Sequence, residues 1–426
     1  MLPILENLLD TGGNVERFHD WLHEQAAEFG HRPWKFAVPG RPATVVLSSP
    51  DAFEDVLKTQ ADVFLRGPTA SHFFSMQMMK DVMEATVREK LVVFVDVLSL
   101  YAARGAAFGI KEGFSHFTMD TIAKIGFGLE LDTLKNSPDH EDDHEFLQAF
   151  DKASVAFGVR FQSPRWLWEL KKYLNVGWEK VFVDNTKIIH RLIGNVIVQS
   201  MNNKAELAAK GSNMNGKDLV TLFMESKLME TQDMHIEDDD ATIMRDMVVT
   251  FIFARKDSTA HSMGWLVVNL NHHPQVLQKI RNEMKEKVPG LLNGEIEVPP
   301  HEQIHDLVSL EAAVRENIRP NHHDVNGRNK KTWGEDAQEF KPEWMIDPAT
   351  GKLRVVSPFV FSSFGSGRHV CIGQKFAMME IKLAMATLLS KFDIKTIENP
   401  WKLTYEFSLT IPVKGPLDVE VTPLAM

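Results

Sequence analysis

Apolar residues return at helical spacing over long stretches of this chain. They recur at Phe74, Met78, Val82, Leu91, Phe94 and Leu98, which predicts a helix over 73–100. Similar patterns predict helices over 15–28, 145–162, 175–201, 310–319 and 372–391. Residues 34–38 and 43–47 flank the turn signal Pro39-Gly40 and read as two strands. Ser49-Pro50-Asp51 is a helix start, with Ser as cap and Pro at the first helical position. Over 405–421 apolar and polar residues alternate in strand-like pieces. Residues 202–217, with Gly211-Ser-Asn-Met-Asn-Gly216, read as a polar surface connection.

One stretch differs from the rest. From 239 to 271 the pattern is helical and apolar on most sides, as for a buried helix on the order of 50 Å long. Its middle is polar: Ala254-Arg-Lys-Asp-Ser-Thr259. Buried polar groups are costly without partners, so this patch needs a purpose. The run Glu237-Asp-Asp-Asp240 before it suits a helix N-terminus, where negative charge is favoured.

Composition narrows the classes. The chain has 426 residues, 47 basic against 58 acidic, for a net charge of −11, which argues against a nucleic-acid surface. A single cysteine excludes an internal disulfide and fits a reducing compartment. No apolar run approaches the roughly 20 residues that cross a bilayer, and the first residues lack a signal-peptide pattern. No compositional break divides the chain, so the expectation is one large domain, 1–426.

The lone cysteine sits in Phe364-Gly-Ser-Gly-Arg-His-Val-Cys-Ile-Gly373. Glycines 365, 367 and 373 allow tight turns and close approach. Arg368 and His369 add positive charge, and an apolar helical pattern (Phe376, Met379, Leu383, Ala386) follows. The sulfur should therefore lie at the mouth of a helix, where free N–H groups and the dipole favour a thiolate. Such a thiolate suits a soft metal such as haem iron.

Phe364, Gly367, His369, Cys371 and Gly373 match the loop Phe-x-x-Gly-x-(Arg/His)-x-Cys-x-Gly, so the chain resembles the cytochrome P-450 family. The resemblance covers nearly the whole chain in order. It implies a mostly helical α+β fold with small β-sheets, lacking the N-terminal membrane anchor, and haem b held by the Cys371 thiolate. Phe364, Gly367, Arg368, His369 and Gly373 would be its other contacts, His369 reaching a propionate. Ala254, Asp257, Ser258 and Thr259 match the family's long-helix motif. By resemblance Asp257 delivers protons, Ser258 holds the oxygen and Thr259 is in reserve. Arg255 stands where the family has Gly, at a groove where a long side chain would either snorkel away or block the site. Glu316-Asn-Ile-Arg319 fits the family's Glu-x-x-Arg. Its partner segment, Phe340-Lys-Pro-Glu-Trp344, lacks the family's Arg, so the buried pair should be under-satisfied. Phe64 to Ser71 carries no Trp-x-x-x-Arg, leaving Arg66 as a weak substitute, and Arg319 to Phe340 is short.

The implied reaction is insertion of one atom of O2 into a C–H bond of a hydrophobic substrate. Similarity of Phe146–Ser154 and Trp168–Asn175 to fatty-acid ω-hydroxylase-type members suggests a long-chain fatty acid. The implied partners are O2 and an NADPH-dependent flavoprotein reductase. The implied location is the cytoplasmic face of the endoplasmic reticulum membrane, or the cytoplasm for this chain alone. A rival within the family is a truncated, inactive product. A rival outside it is a zinc hydrolase built on His301-Glu-Gln-Ile-His305, which fits H-E-x-x-H, with Glu311 or Glu316 as third ligand. His322-His323 read as exposed loop residues, Lys375 and Lys382 as solvated lysines, and the methionines at 76, 78, 79 and 83 as core filling.

Overall fold

The computed structural model of the protein describes residues 7–39, 42–63, 80–128, 130–136, 145–209, 238–320, 325–406, 408 and 410–424. Helices dominate. Near the N-terminus, α1 (Phe18–Glu28) precedes a two-stranded antiparallel sheet, β1 (Trp34–Phe36) and β2 (Thr44–Val46), with Trp34 opposite Val46. Trp21, Trp34 and Val46 form a small core there. Ser49 caps α2 (Pro50–Glu54) by accepting from the Ala52 N–H at 3.4 Å.

The larger body is built on α3 (Lys80–Arg104), α4 (Ile110–Phe127), α5 (Glu145–Gln162), α6 (Arg165–Leu174) and α7 (Trp178–Ala209). Through it runs α8 (Asp238–His272), whose 35 residues extend the 239–271 expectation by one at each end. Then come α9 (Pro274–Lys287), α10 (Val308–Ile318) and α11 (Gln374–Lys391). Three short strands, β3 (Phe108–Gly109), β4 (Phe392–Thr396) and β5 (Asp418–Pro423), make an antiparallel sheet in the order β3-β5-β4.

Burial explains the arrangement. Leu91, Phe94, Phe114, Phe117, Met263 and Leu383 share the main core, which joins α3, α4, α8 and α11. A second core packs Phe146, Phe150, Ile189 and Ile193 of α5 and α7 against Met119 of α4 and Val248 and Ile252 of α8. The middle of α8 is therefore flanked by both cores. No described helix is long and apolar enough to cross a membrane.

The sequence readings meet this fold with some differences. The helix expected over 175–201 begins at Trp178 and runs to Ala209, into the expected connection. Between it and α5 lies a ten-residue helix, α6. Phe64 to Ser71, methionines 76, 78 and 79, residues 211–216 and His322-His323 lie outside the described residues. Met83 is buried core, as expected. Lys382 is not solvated: it is buried and donates to Glu311 Oε2 at 2.8 Å.

Candidate active site

The cysteine loop is a series of turns closed by its own amides. The Gly365 N–H donates to Ser362 O at 2.7 Å, the His369 N–H to Ser366 O at 3.0 Å, and the Cys371 N–H to Phe364 O at 2.6 Å. Gly365 and Gly367 have φ of +68° and +58°, in the left-handed region that disfavours side chains. A Cβ on Gly365 would strike the His369 carbonyl, and one on Gly367 the Leu57 carbonyl. Gly373 differs from expectation: its φ of −83° is ordinary, and a Cβ there would touch Cys371 Sγ at 3.9 Å. That is ordinary van der Waals contact, so neither the turn nor close packing demands glycine at 373.

Helix α11 starts at Gln374, three residues after Cys371, and the Gln374 N–H donates to Cys371 O at 3.3 Å. The sulfur thus sits at the helix mouth, and Cys371 is exposed. Phe364 is half-buried against the main core and anchors the loop's other end. His369 is half-buried. The Arg368 side chain is outside the described atoms.

Helix α8 carries the polar patch that the sequence singled out. Thr250, Ala254 and Ser258, spaced by four, are exposed although the helix lies between two cores. This stripe is an open face lined by small residues. The Ser258 hydroxyl donates to Ala254 O at 2.7 Å. Asp257 lies off that stripe and accepts from the Lys256 ammonium at 2.9 Å. The same ammonium reaches Asp151 of α5 at 2.7 Å. Burial opposes the Lys256 charge, but the two carboxylates outweigh it and hold its pKa above the usual value. Thr259 is buried at 2% exposure, away from Ser258. Of the three residues expected to handle oxygen and protons, Ser258 alone reaches the open face.

Arg255 turns away from that face. Its guanidinium lies 3.7 Å from the Phe376 ring centroid and donates to Glu380 Oε1 at 2.9 Å. Both partners belong to α11, five and nine residues after the cysteine. Neither Lys256 nor Glu380 was singled out by sequence reasoning. A signal existed for Glu380, a charge one turn after Phe376 in an apolar helix.

The expected under-satisfaction of Glu316–Arg319 is corrected. The pair is bidentate, 2.8 Å at each bond, with side chains 0% and 1% exposed. The remaining guanidinium hydrogens go to the carbonyls of Gly327, Ala337 (2.7 Å) and Glu339 (3.0 Å). Glu316 also accepts from the Lys341 N–H at 2.9 Å. Backbone replaces the third side chain. Burial raises the Glu316 pKa against the opposing pull of Arg319.

The H-E-x-x-H segment does not form a long helix. It is one turn, His301–Ile304, with the two imidazole centroids 6.2 Å apart and His305 exposed beside Asp306. Glu316, one proposed third ligand, is fully committed to Arg319 and Lys341, and Glu311 to Arg315 and Lys382. Among the described residues no three His, Cys, Asp or Glu side chains converge.

The cysteine site fits haem iron in its donor chemistry: one soft, exposed sulfur on a loop locked by its own hydrogen bonds. Comparison with known proteins agrees. The cytochrome P450 family model matches residues 68–326 and 320–417. Cytochrome P450 704B1 of Arabidopsis thaliana is 25% identical over 486 aligned positions, covering 93% of this chain and 89% of the relative. Cytochrome P450 94C1 of the same plant is 27% identical, covering 83% of this chain and 72% of the relative. The alkane hydroxylase MAH1, also of Arabidopsis thaliana, is 26% identical, with coverage of 80% and 70%. The chain belongs to the cytochrome P450 family of haem monooxygenases.

Proposed function

We propose that this chain hydroxylates a long-chain fatty acid near its end, with Cys371 as the haem ligand and electrons drawn from NADPH through a flavoprotein reductase. The carrying observation is the exposed Cys371 sulfur at the mouth of α11. The loop is closed by its own amides, and α11 begins three residues beyond the sulfur. Arg368 and His369 would meet the propionates, and Gly367 keeps bulk away from the Leu57 carbonyl. Bound there, haem supplies the oxidising power that inserts one oxygen atom into a C–H bond, with thiolate donation favouring O–O cleavage.

The chain's own residues set the surroundings. Ala254 leaves space on the α8 face. Ser258 holds a proton at Oγ on that same face. Asp257 keeps a carboxylate one residue earlier, held by Lys256, and so stands off the open face as a relay group. Thr259 stays in reserve within the core. An aliphatic substrate is supported by the name of one relative, an alkane hydroxylase.

A membrane-surface location, on the cytoplasmic face of the endoplasmic reticulum, is supported by α6. Trp166, Leu170, Tyr173 and Leu174 lie on one exposed face with Arg165, Lys171 and Lys172 beside them.

The test is turnover with NADPH, reductase and either a long-chain fatty acid or the alkane of equal length. Hydroxylation within the last few carbons of the acid is the expected result. A haem-loaded chain that oxidises the alkane and leaves the acid untouched contradicts the substrate. The second reading, an inactive family member, is favoured by the alignment of 486 positions against a chain of 426 residues, which leaves segments of that relative without a counterpart. A purified chain that holds no haem supports it.

A further inference from the structure

Three facts meet at Arg255. It lies between Ala254 and Ser258 on the axis of α8, but its side chain leaves their open face. It stacks on Phe376, with the guanidinium carbon 3.7 Å from the ring centroid. It donates to Glu380, whose side chain is 0% exposed, while its own is 12% exposed. Phe376 and Glu380 are one helical turn apart on α11 and so present one face to α8. A planar cation over a ring, hydrogen-bonded to a carboxylate one turn along the same helix, is a directional contact between two helices.

The charges are committed to each other. Burial pushes the Glu380 carboxyl up and the Arg255 guanidinium down, and each opposes the shift of its partner. Arg255 Nε has no hydrogen-bond partner. The arrangement is therefore costly to bury and poorly suited to stability alone, since apolar pairs of equal volume usually do as well.

We propose that Arg255 is a positioning residue for the thiolate loop: its grip on Phe376 and Glu380 fixes α11, and with it Cys371, relative to the Ser258 face of α8. This rests on the haem–thiolate reading for its consequence, but not for its geometry.

The experiment compares the purified chain with Arg255→Met, Arg255→Lys and Glu380→Gln, all held well below their melting temperatures. The first readout is the reduced, carbon monoxide-bound spectrum. In Arg255→Met and Glu380→Gln at least half of the bound haem shifts from the thiolate band to the shorter-wavelength band of a displaced sulfur. Arg255→Lys, which keeps the charge but not the planar fork, recovers it only in part. The second readout needs no haem: Cys371 is the only cysteine, so the rate of its alkylation by iodoacetamide reports its setting. The expected change in Arg255→Met is several-fold, with a smaller change in the same direction in Arg255→Lys. If Arg255→Met does not fold, the double variant Arg255→Met/Glu380→Met, which removes both buried charges, takes its place. Absence of haem from the unsubstituted chain sinks the proposed function and leaves the alkylation rates to judge Arg255. Unchanged alkylation in folded variants, or an unchanged thiolate band where haem is bound, overturns the positioning role.

Discussion

His261 sits one turn beyond Asp257 on α8, and its Nδ1 shares a hydrogen bond with Thr410 Oγ1 at 2.9 Å. Burial lowers its pKa to about 4; Asp257 opposes that shift, and Lys256 and Lys111 add to it. Above pH about 6.5 the ring is neutral in both folded and unfolded chains. Between 6.5 and about 4 only the unfolded chain takes the proton, so stability falls as pH falls through that window. The loss amounts to at most about 3 kcal/mol by pH 4. Replacing His261 with Gln should flatten the pH dependence of urea unfolding across this range; an identical slope in the variant contradicts the assignment. At this scale the sequence was uneven. Cys371, Gly365 and Gly367 could be read because each residue type has a narrow physical use at that spacing. Lys256 and Glu380 stood out only as charges in apolar helices; their partners, Asp151 and Arg255, lie on other helices and could not be named before folding. Thr259 shows the reverse: adjacent to Ser258 in sequence, it is turned about 100° away on the helix.

Among the elements, α10 depends on its Glu316–Arg319 pair and on the carbonyls that complete it. Glu316→Leu leaves a cation buried at 1% exposure with three backbone contacts but no counter-charge. The expected cost is about 3–5 kcal/mol, read as a drop in the urea midpoint. A change below about 1 kcal/mol would mean that the carbonyls alone satisfy Arg319. Element legibility followed burial pattern. Helix α5 agrees with its expected 145–162 because one face is apolar and the other polar. Helix α8 was read from continuous apolarity over a length no strand attains. Helix α4 carried no such mark: buried on nearly every side by its neighbours, it shows no amphipathic stripe and contains Gly113 and several β-branched residues. Its position became visible only through the core it fills. The missing Arg after Glu343 misled for a related reason. Side chains can be counted in a sequence, whereas the carbonyls of Gly327, Ala337 and Glu339 could not be assigned until the chain was folded around Arg319.

Over the whole molecule, both cores draw on α8, and Arg255 ties that helix to α11, the helix that begins just after the exposed Cys371. The net charge of −11 and the apolar face of α6 belong to the surface and have no part in this arrangement. The account rests on a single bond from Cys371 to iron. The most direct measurement is the reduced, carbon monoxide-bound spectrum of the purified protein beside Cys371→Ser. The unsubstituted chain should bind haem and show the red-shifted thiolate band, and Cys371→Ser should lose it. A Cys371→Ser protein that keeps the same band and the same haem content would contradict the account.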